Sequence, residues 1–264
     1  MKKYVLAQPG GFTCSINDNL LAIKKAGFEG VFFTLEYEGL EDEHIEFARK
    51  LGLDVETIHL PYSNRLVTDL WSEDKDAERC ISKLKEGIDF AYRNQVKTVI
   101  LHTVSGYNCP GPNECGLKNY RVIAEYCKEK GIILALENNK CLSHLEYLLD
   151  NLDDFDNVRL CFDIGHANTF TKNLRFEVWD KVLNKVHCLH IHDNDGTRDS
   201  HLIPYMGTID IESWLQILKK KNPNLNLTLE TYYMDRKEFY GEITIEEFYE
   251  KANSAADKLL RKDR

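Results

Sequence analysis

No apolar run in this chain of 264 residues approaches the ~18 consecutive residues that a membrane-crossing helix needs, so an integral membrane protein is excluded. The N-terminal Met1-Lys2-Lys3 is followed only by Tyr4-Val5-Leu6-Ala7 before Gln8 and Pro9, too short a core for a signal peptide, and the expectation is a cytoplasmic protein with no membrane partner. The eight cysteines form no C-x-x-C pair, and several sit in apolar segments such as Leu160-Cys161-Phe162; they read as reduced thiols packed as small hydrophobes. Basic residues are outnumbered, 34 against 43 acidic, for a formal net charge of -9, and the basic clusters, Lys219-Lys220-Lys221 and Arg261-Lys262, are short. Phosphate backbones are bound by cationic surface, so this balance weighs against a nucleic-acid partner. With 15 glycines and 6 prolines at 43% apolar content, collagen-like and disordered chains are excluded as well. No Gly/Ser linker, charge block or shift in composition divides the sequence, and residues 1–264 read as one domain.

What the chain does have is a regular alternation. Short β-branched or apolar runs predict strands at 4–8, 30–35, 53–59, 97–102, 132–137, 158–163, 186–192 and 225–230. Between them, apolar residues at three-to-four spacing predict helices over 17–26, 41–51, 73–94, 117–130, 143–151, 211–221 and 243–260. Glycine closes several helices just before a strand, as in Lys25-Ala26-Gly27-Phe28 and Lys130-Gly131-Ile132. Eight strand-then-helix units in a chain of this length predict an α/β fold, a closed (β/α)₈ TIM barrel. A doubly wound open sheet is the alternative, but no Gly-rich phosphate turn follows the first strand. Two long loops, 61–72 and 193–207, are candidate site covers.

Barrel sites are built at the C-terminal ends of the strands. Here six consecutive strands end on His59, His102, Glu137, Asp163, His190 or His192, and Glu230. Any one of these alone would read as a solvated end or a cap; six on one rim read as a metal site, because carboxylate–imidazole sets bind divalent transition ions. Side chains alternate along Val186-His187-Cys188-Leu189-His190-Ile191-His192, so His190 and His192 share a face and His187 is expected to pack outward. By the same alternation Ala135 and Cys161 lie beneath Glu137 and Asp163. Two loop patterns add to the rim: Asp163-Ile164-Gly165-His166, and Arg198-Asp199-Ser200-His201 with Asp and His two apart.

The segments Ile58-His59-Leu60-Pro61-Tyr62, Leu101-His102, Leu136-Glu137-Asn138, Phe162-Asp163-Ile164-Gly165-His166, His190-Ile191-His192-Asp193-Asn194 through Asp199-Ser200-His201 to Gly207-Thr208-Ile209-Asp210, and Leu229-Glu230-Thr231 resemble the xylose isomerase-like TIM-barrel superfamily, from the third strand to the eighth. That superfamily contains sugar isomerases and epimerases, inosose dehydratases and endonuclease IV. In its epimerase branch the resemblance implies one divalent metal (Mn, Zn, Co or Mg) held at Glu137, Asp163, His190 and Glu230. The two glutamates would also act as acid and base, and His166 would bind substrate. In the endonuclease branch it implies a three-zinc cluster that adds His59, His102, His166, Asp199 and His201. Asn139-Lys140-Cys141 and Asp163-Ile164-Gly165-His166-Ala167-Asn168 depart from the endonuclease form, and with the acidic balance they favour the sugar phosphate isomerase/epimerase group.

The expected activity is therefore isomerisation or epimerisation of a sugar, sugar phosphate or inosose by proton transfer through an enediolate, with Glu137 and Glu230 moving the proton. The alternatives are a multi-zinc phosphodiesterase acting on abasic DNA and a non-catalytic sugar-binding barrel; the latter would have no need of two opposed acid/base groups. The partner is a small sugar or polyol, and a homo-oligomer stays open. Tyr62 reads as rim packing, with stacking on a sugar ring or a base as the alternative.

Overall fold

The computed structural model of the chain describes all residues except 64, 74, 173, 174, 235 and 262–264. Asn64 of the 61–72 loop, Asp74 of the expected 73–94 helix and Lys262 of the basic pair therefore lie outside the described residues. Eight strands form one sheet: β1 Lys3–Leu6, β2 Gly30–Thr34, β3 Asp54–His59, β4 Thr98–His102, β5 Ile133–Glu137, β6 Val158–Asp163, β7 Val186–His190 and β8 Leu227–Leu229. Every ladder is parallel and joins neighbours in chain order, with β8 beside β1. A doubly wound sheet would reverse its strand order at a switch point, so this order excludes it.

The ring closes at its weakest place. β7 and β8 meet through a single parallel bridge between Ile191 and Leu229, with Ile191 N donating to Thr228 O at 2.9 Å and Glu230 N to Ile191 O at 3.0 Å. β8 has only three residues, so two backbone bonds carry the seam.

Around the strands lie α1 Ile16–Ala26, α2 Asp42–Lys50, α3 Lys75–Arg93, α4 Glu114–Glu129, α5 Leu142–Asn151, α6 Ile164–Thr169, α7 Phe176–Leu183, α8 Ile211–Lys221, α9 Lys237–Tyr240 and α10 Ile245–Arg261. The start of α1 follows from its sequence: Ser15 and Asp18 form a capping box. Its end follows too, because Gly27 at φ 97 adopts the left-handed conformation that turns the chain into Phe28 and β2. Leu20 and Ile23 of α1 pack with Val5, Val31 and Phe33 in the large core between helices and sheet. The helices α6, α7 and α9 have six, eight and four residues, and the first and last are too short to register as a periodicity. Among the described residues no helix is long and apolar enough to cross a membrane.

Inside the ring, Ile100, Ala135, Cys161 and Cys188 form a separate buried cluster, the layer expected beneath the polar tips. His187 departs from its expected place. The β6–β7 register skips from Leu160↔Val186 to Cys161↔Cys188, so His187 is an extra residue in a bulge. Its Nε2 lies 3.2 Å from Thr98 Oγ1 on β4, across the ring, so His187 faces the barrel floor rather than the helices. On the same floor the Glu56 carboxylate accepts bonds from Asn226 and Thr228 at 2.7 and 2.6 Å.

Candidate active site and metal centre

The strand ends deliver the expected residues to one place. Glu137 is wholly buried, and its oxygens lie 3.0 Å from His59 Nε2, 2.8 Å from His102 Nε2 and 2.7 Å from His190 Nδ1. Glu230 approaches the same His190 Nδ1 at 3.2 Å from the far side of the seam. Single ligand atoms of Glu137, Asp163, His190 and Glu230 lie within 4.8 Å of one another. Three further groups meet the same limit: His59, His102 and Glu137; His166, His192, Asp199 and His201; and Glu137 and His190 with Cys161. Among these nine expected residues none is stranded elsewhere.

The rings are aimed by the backbone. Nδ1 of His59, His166 and His201 donates to the carbonyls of Leu60, Asn138 and Glu230 at 2.8, 2.9 and 3.0 Å. A carbonyl can only accept, so each Nδ1 carries the proton and each Nε2 is turned toward the carboxylates. This is the arrangement that orients metal-binding imidazoles. His201 Nε2 and His166 Nε2 lie 3.2 and 3.3 Å from Asp199 Oδ2. His201 holds this pose with φ 45, a left-handed conformation that costs a side-chain-bearing residue about 1 kcal/mol.

Asp163 divides its two oxygens between fold and site. Oδ1 caps α6 by accepting from His166 N at 2.6 Å, while Oδ2 is buried with no hydrogen-bond partner. Asn138 ties the tips of β5 and β6, accepting from Asp163 N and donating to Asp163 O, both at 2.8 Å. Among the described residues, His190 Nε2, both nitrogens of His192 and Asp199 Oδ1 are likewise buried without a hydrogen-bond partner. Buried polar atoms are expected to be paired. Orphaned carboxylate and imidazole atoms within this buried cluster fit a divalent cation, and the donor set, carboxylate and imidazole, suits Mn²⁺, Zn²⁺ or Co²⁺.

Charges within the cluster hold one another in place. Burial alone would keep Glu137 neutral, but His190 and His102 hold it well below the usual carboxylate range. Glu230 is lowered against the same burial by His190. Burial disfavours the cations of His190 and His166, yet Glu230 raises the first and Asp163 and Asp199 raise the second well above the ordinary imidazole value. His201 is pushed up to about 9, because Asp199 outweighs its burial. His102, under the strongest influence of burial, is lowered.

A mouth opens above the cluster, lined by Tyr62, His102, Lys140, His166, Phe170, Asp199, His201, Glu230 and Tyr232. Tyr62 stands over His102 with ring centroids 4.0 Å apart, so it touches the ligand set as well as packing the rim. Phe170 and Tyr232, on the segments after β6 and β8, were not readable as site residues; no periodicity marks which loop side chains fold back over a barrel. His192 carried a signal in the His-x-His spacing of 190 and 192. Its Nε2 is 3.2 Å from Asp163 and its ring stacks on His201 at 3.9 Å.

The chain has likenesses to known proteins in sequence and in fold. The chain is 25% identical to fructoselysine 3-epimerase of Shigella flexneri, over 75% of this chain and 74% of that protein. It is 27% identical to a probable endonuclease 4 of Mycoplasma capricolum, over 51% of this chain and 50% of that one. Among solved structures, a D-tagatose 3-epimerase-like protein superposes with a TM-score of 0.71 at 20% identity, covering all of both chains, and so shares the fold. The sequence pattern of the xylose isomerase-like TIM barrel matches residues 20–257, and the chain belongs to that family.

Proposed function

We propose that the protein is a divalent-metal-dependent isomerase or epimerase of a small sugar, sugar phosphate or inosose. The observation that supports this best is the quartet Glu137, Asp163, His190 and Glu230, in which two carboxylates from separate strands flank one imidazole and Glu230 reaches the mouth. The likeness to an epimerase over three-quarters of the chain points the same way. Moving a hydroxyl or carbonyl along a sugar requires taking a proton from the carbon beside a carbonyl and returning one. Glu137 and Glu230, both held ionised, are the groups to take and return it, each transfer contributing ~10²–10⁴-fold. Tyr62 and Tyr232 wall the mouth against water, and His102 and His166 present ring nitrogens to substrate hydroxyls. Glu137, Asp163, His190 and Glu230 would hold a divalent ion, which would supply stabilisation of the negative charge that develops on substrate oxygen.

The test combines metal analysis with solvent exchange. Protein purified without a metal-binding tag is expected to carry one Mn, Zn, Co or Mg ion per chain, and to exchange a carbon-bound proton of a ketose or inosose in deuterated water. Glu137→Gln and Glu230→Gln are each expected to lose at least about 10²-fold in turnover with unchanged circular dichroism. Normal rates in both variants would exclude the assignment.

A second reading rests on the two further carboxylate–imidazole groups, which have the same donor chemistry as the quartet. Two or three close metals orient a water for phosphodiester cleavage. Three zinc ions per chain together with cleavage of abasic DNA would favour that reading over the isomerase.

A further inference from the structure

Directly below the quartet the barrel interior holds two thiols. Cys161 and Cys188 are paired neighbours on β6 and β7, both buried, in the inward layer with Ile100 and Ala135. Cys161 also stands level with Glu137 on β5. Its Sγ and one ligand atom each of Glu137 and His190 lie within 4.8 Å of one another. Glu137 and His190 thus belong to two sets of donors, an outer one completed by Asp163 and Glu230 and an inner one completed by sulfur. The wholly buried His190 also keeps Nε2 without a hydrogen-bond partner.

We propose that Cys161 is a metal ligand, and that with Glu137 and His190 it forms an inner position for thiophilic divalent ions such as Cd²⁺ and Zn²⁺. Oxygen-rich donor sets suit Mn²⁺ and Mg²⁺, whereas a thiolate favours softer ions, so the two positions sort ions by chemistry. Because they share Glu137 and His190, one ion excludes the other. Ligation replaces the S–H bond of Cys161 with an S–metal bond, and the proton leaves to the buffer. The inference does not depend on the isomerase reading, since it concerns which ion the cluster holds and not what the site turns over.

The experiment titrates Cd²⁺ into the metal-stripped full chain after alkylation of the exposed and half-buried thiols Cys14, Cys109, Cys115 and Cys141. An ultraviolet thiolate-to-cadmium charge-transfer band is expected, saturating at one Cd²⁺ and suppressed by excess Mn²⁺. Cys161→Ala should abolish the band and weaken Cd²⁺ binding at least about tenfold, with Mn²⁺ affinity changed less than about twofold. Cys188→Ala should keep the band. No band in the unsubstituted chain, or a band that survives Cys161→Ala, overturns the proposal. If the Cys161 variant does not fold, the cadmium-113 resonance of the alkylated chain decides. A downfield shift characteristic of sulfur ligation supports the inner position, and a resonance in the oxygen–nitrogen range overturns it.

Discussion

A methyl group at Gly165 would lie 2.0 Å from Cε1 of His192, so the close passage of α6 over that ring depends on the missing side chain. Gly165→Ala is expected to cost about 1–3 kcal/mol by overpacking and to push His192 away from Asp163 and Asp199. Thermal unfolding of the metal-free protein and its metal stoichiometry should both fall; an unchanged stoichiometry would show that His192 is only packing. Titration gives a second expectation at this scale. In the metal-free fold, His201 is raised from 6.5 to about 9 against burial by Asp199, so its contribution to stability is complete below pH 6.5 and is lost as pH rises through about 9. A metal needs the same ring deprotonated, so metal affinity should rise over that window and level off above it. Calorimetric metal titrations and metal-free melting curves from pH 6 to 10 check both slopes. The nine strand-end and loop residues were legible because chemistry-bearing types recur at one position of each unit. Tyr62 and Tyr232 lacked such a marker, since aromatic residues serve packing equally well and only the folded loops aim these two at the mouth.

Loops decide more at the level of elements. The 193–207 segment, expected to cover the site, is tethered through Asp193, whose Oδ1 accepts from Asn194 N and Ile209 N at 2.9 and 3.1 Å and whose Oδ2 accepts from Tyr205 N at 3.0 Å. Asp193 is a member of none of the metal-competent groups found among the described residues, yet the loop it orders carries Asp199 and His201. Asp193→Ala removes three bonds to a buried carboxylate, a loss on the order of 3 kcal/mol. It should weaken metal binding at the His166, His192, Asp199 and His201 group while leaving the quartet close to its original affinity, as read by metal content at increasing chelator. Equal loss at both groups would mean the loop supports the whole centre. Strand ends were legible to within two residues because each strand is a short apolar run bounded by polar residues. The bulge at His187 was not legible. Strict alternation put that residue outside, and the register shift that turns it inward depends on how β7 pairs with β6, which no single strand encodes.

At the scale of the molecule, a cluster of like and unlike charges sits at the open end of a ring whose last seam rests on two backbone bonds. Metal removal should therefore lower the melting temperature in one cooperative step. Restoring the ion at about 100 times its dissociation constant should return about 2.7 kcal/mol. Two separate transitions would contradict the expectation that residues 1–264 form one domain. The sequence by itself determined the alternation of eight strands and helices and the rim on which the histidines and carboxylates stand, because hydrophobic period and strand polarity are local properties. Only the tertiary structure decided which of those groups touch, that they divide into three sets of which two share Glu137, and that Cys161 lies within reach of Glu137 and His190. Those are distances between strands far apart in the chain, fixed by the stagger and closure of the ring rather than by any segment of it.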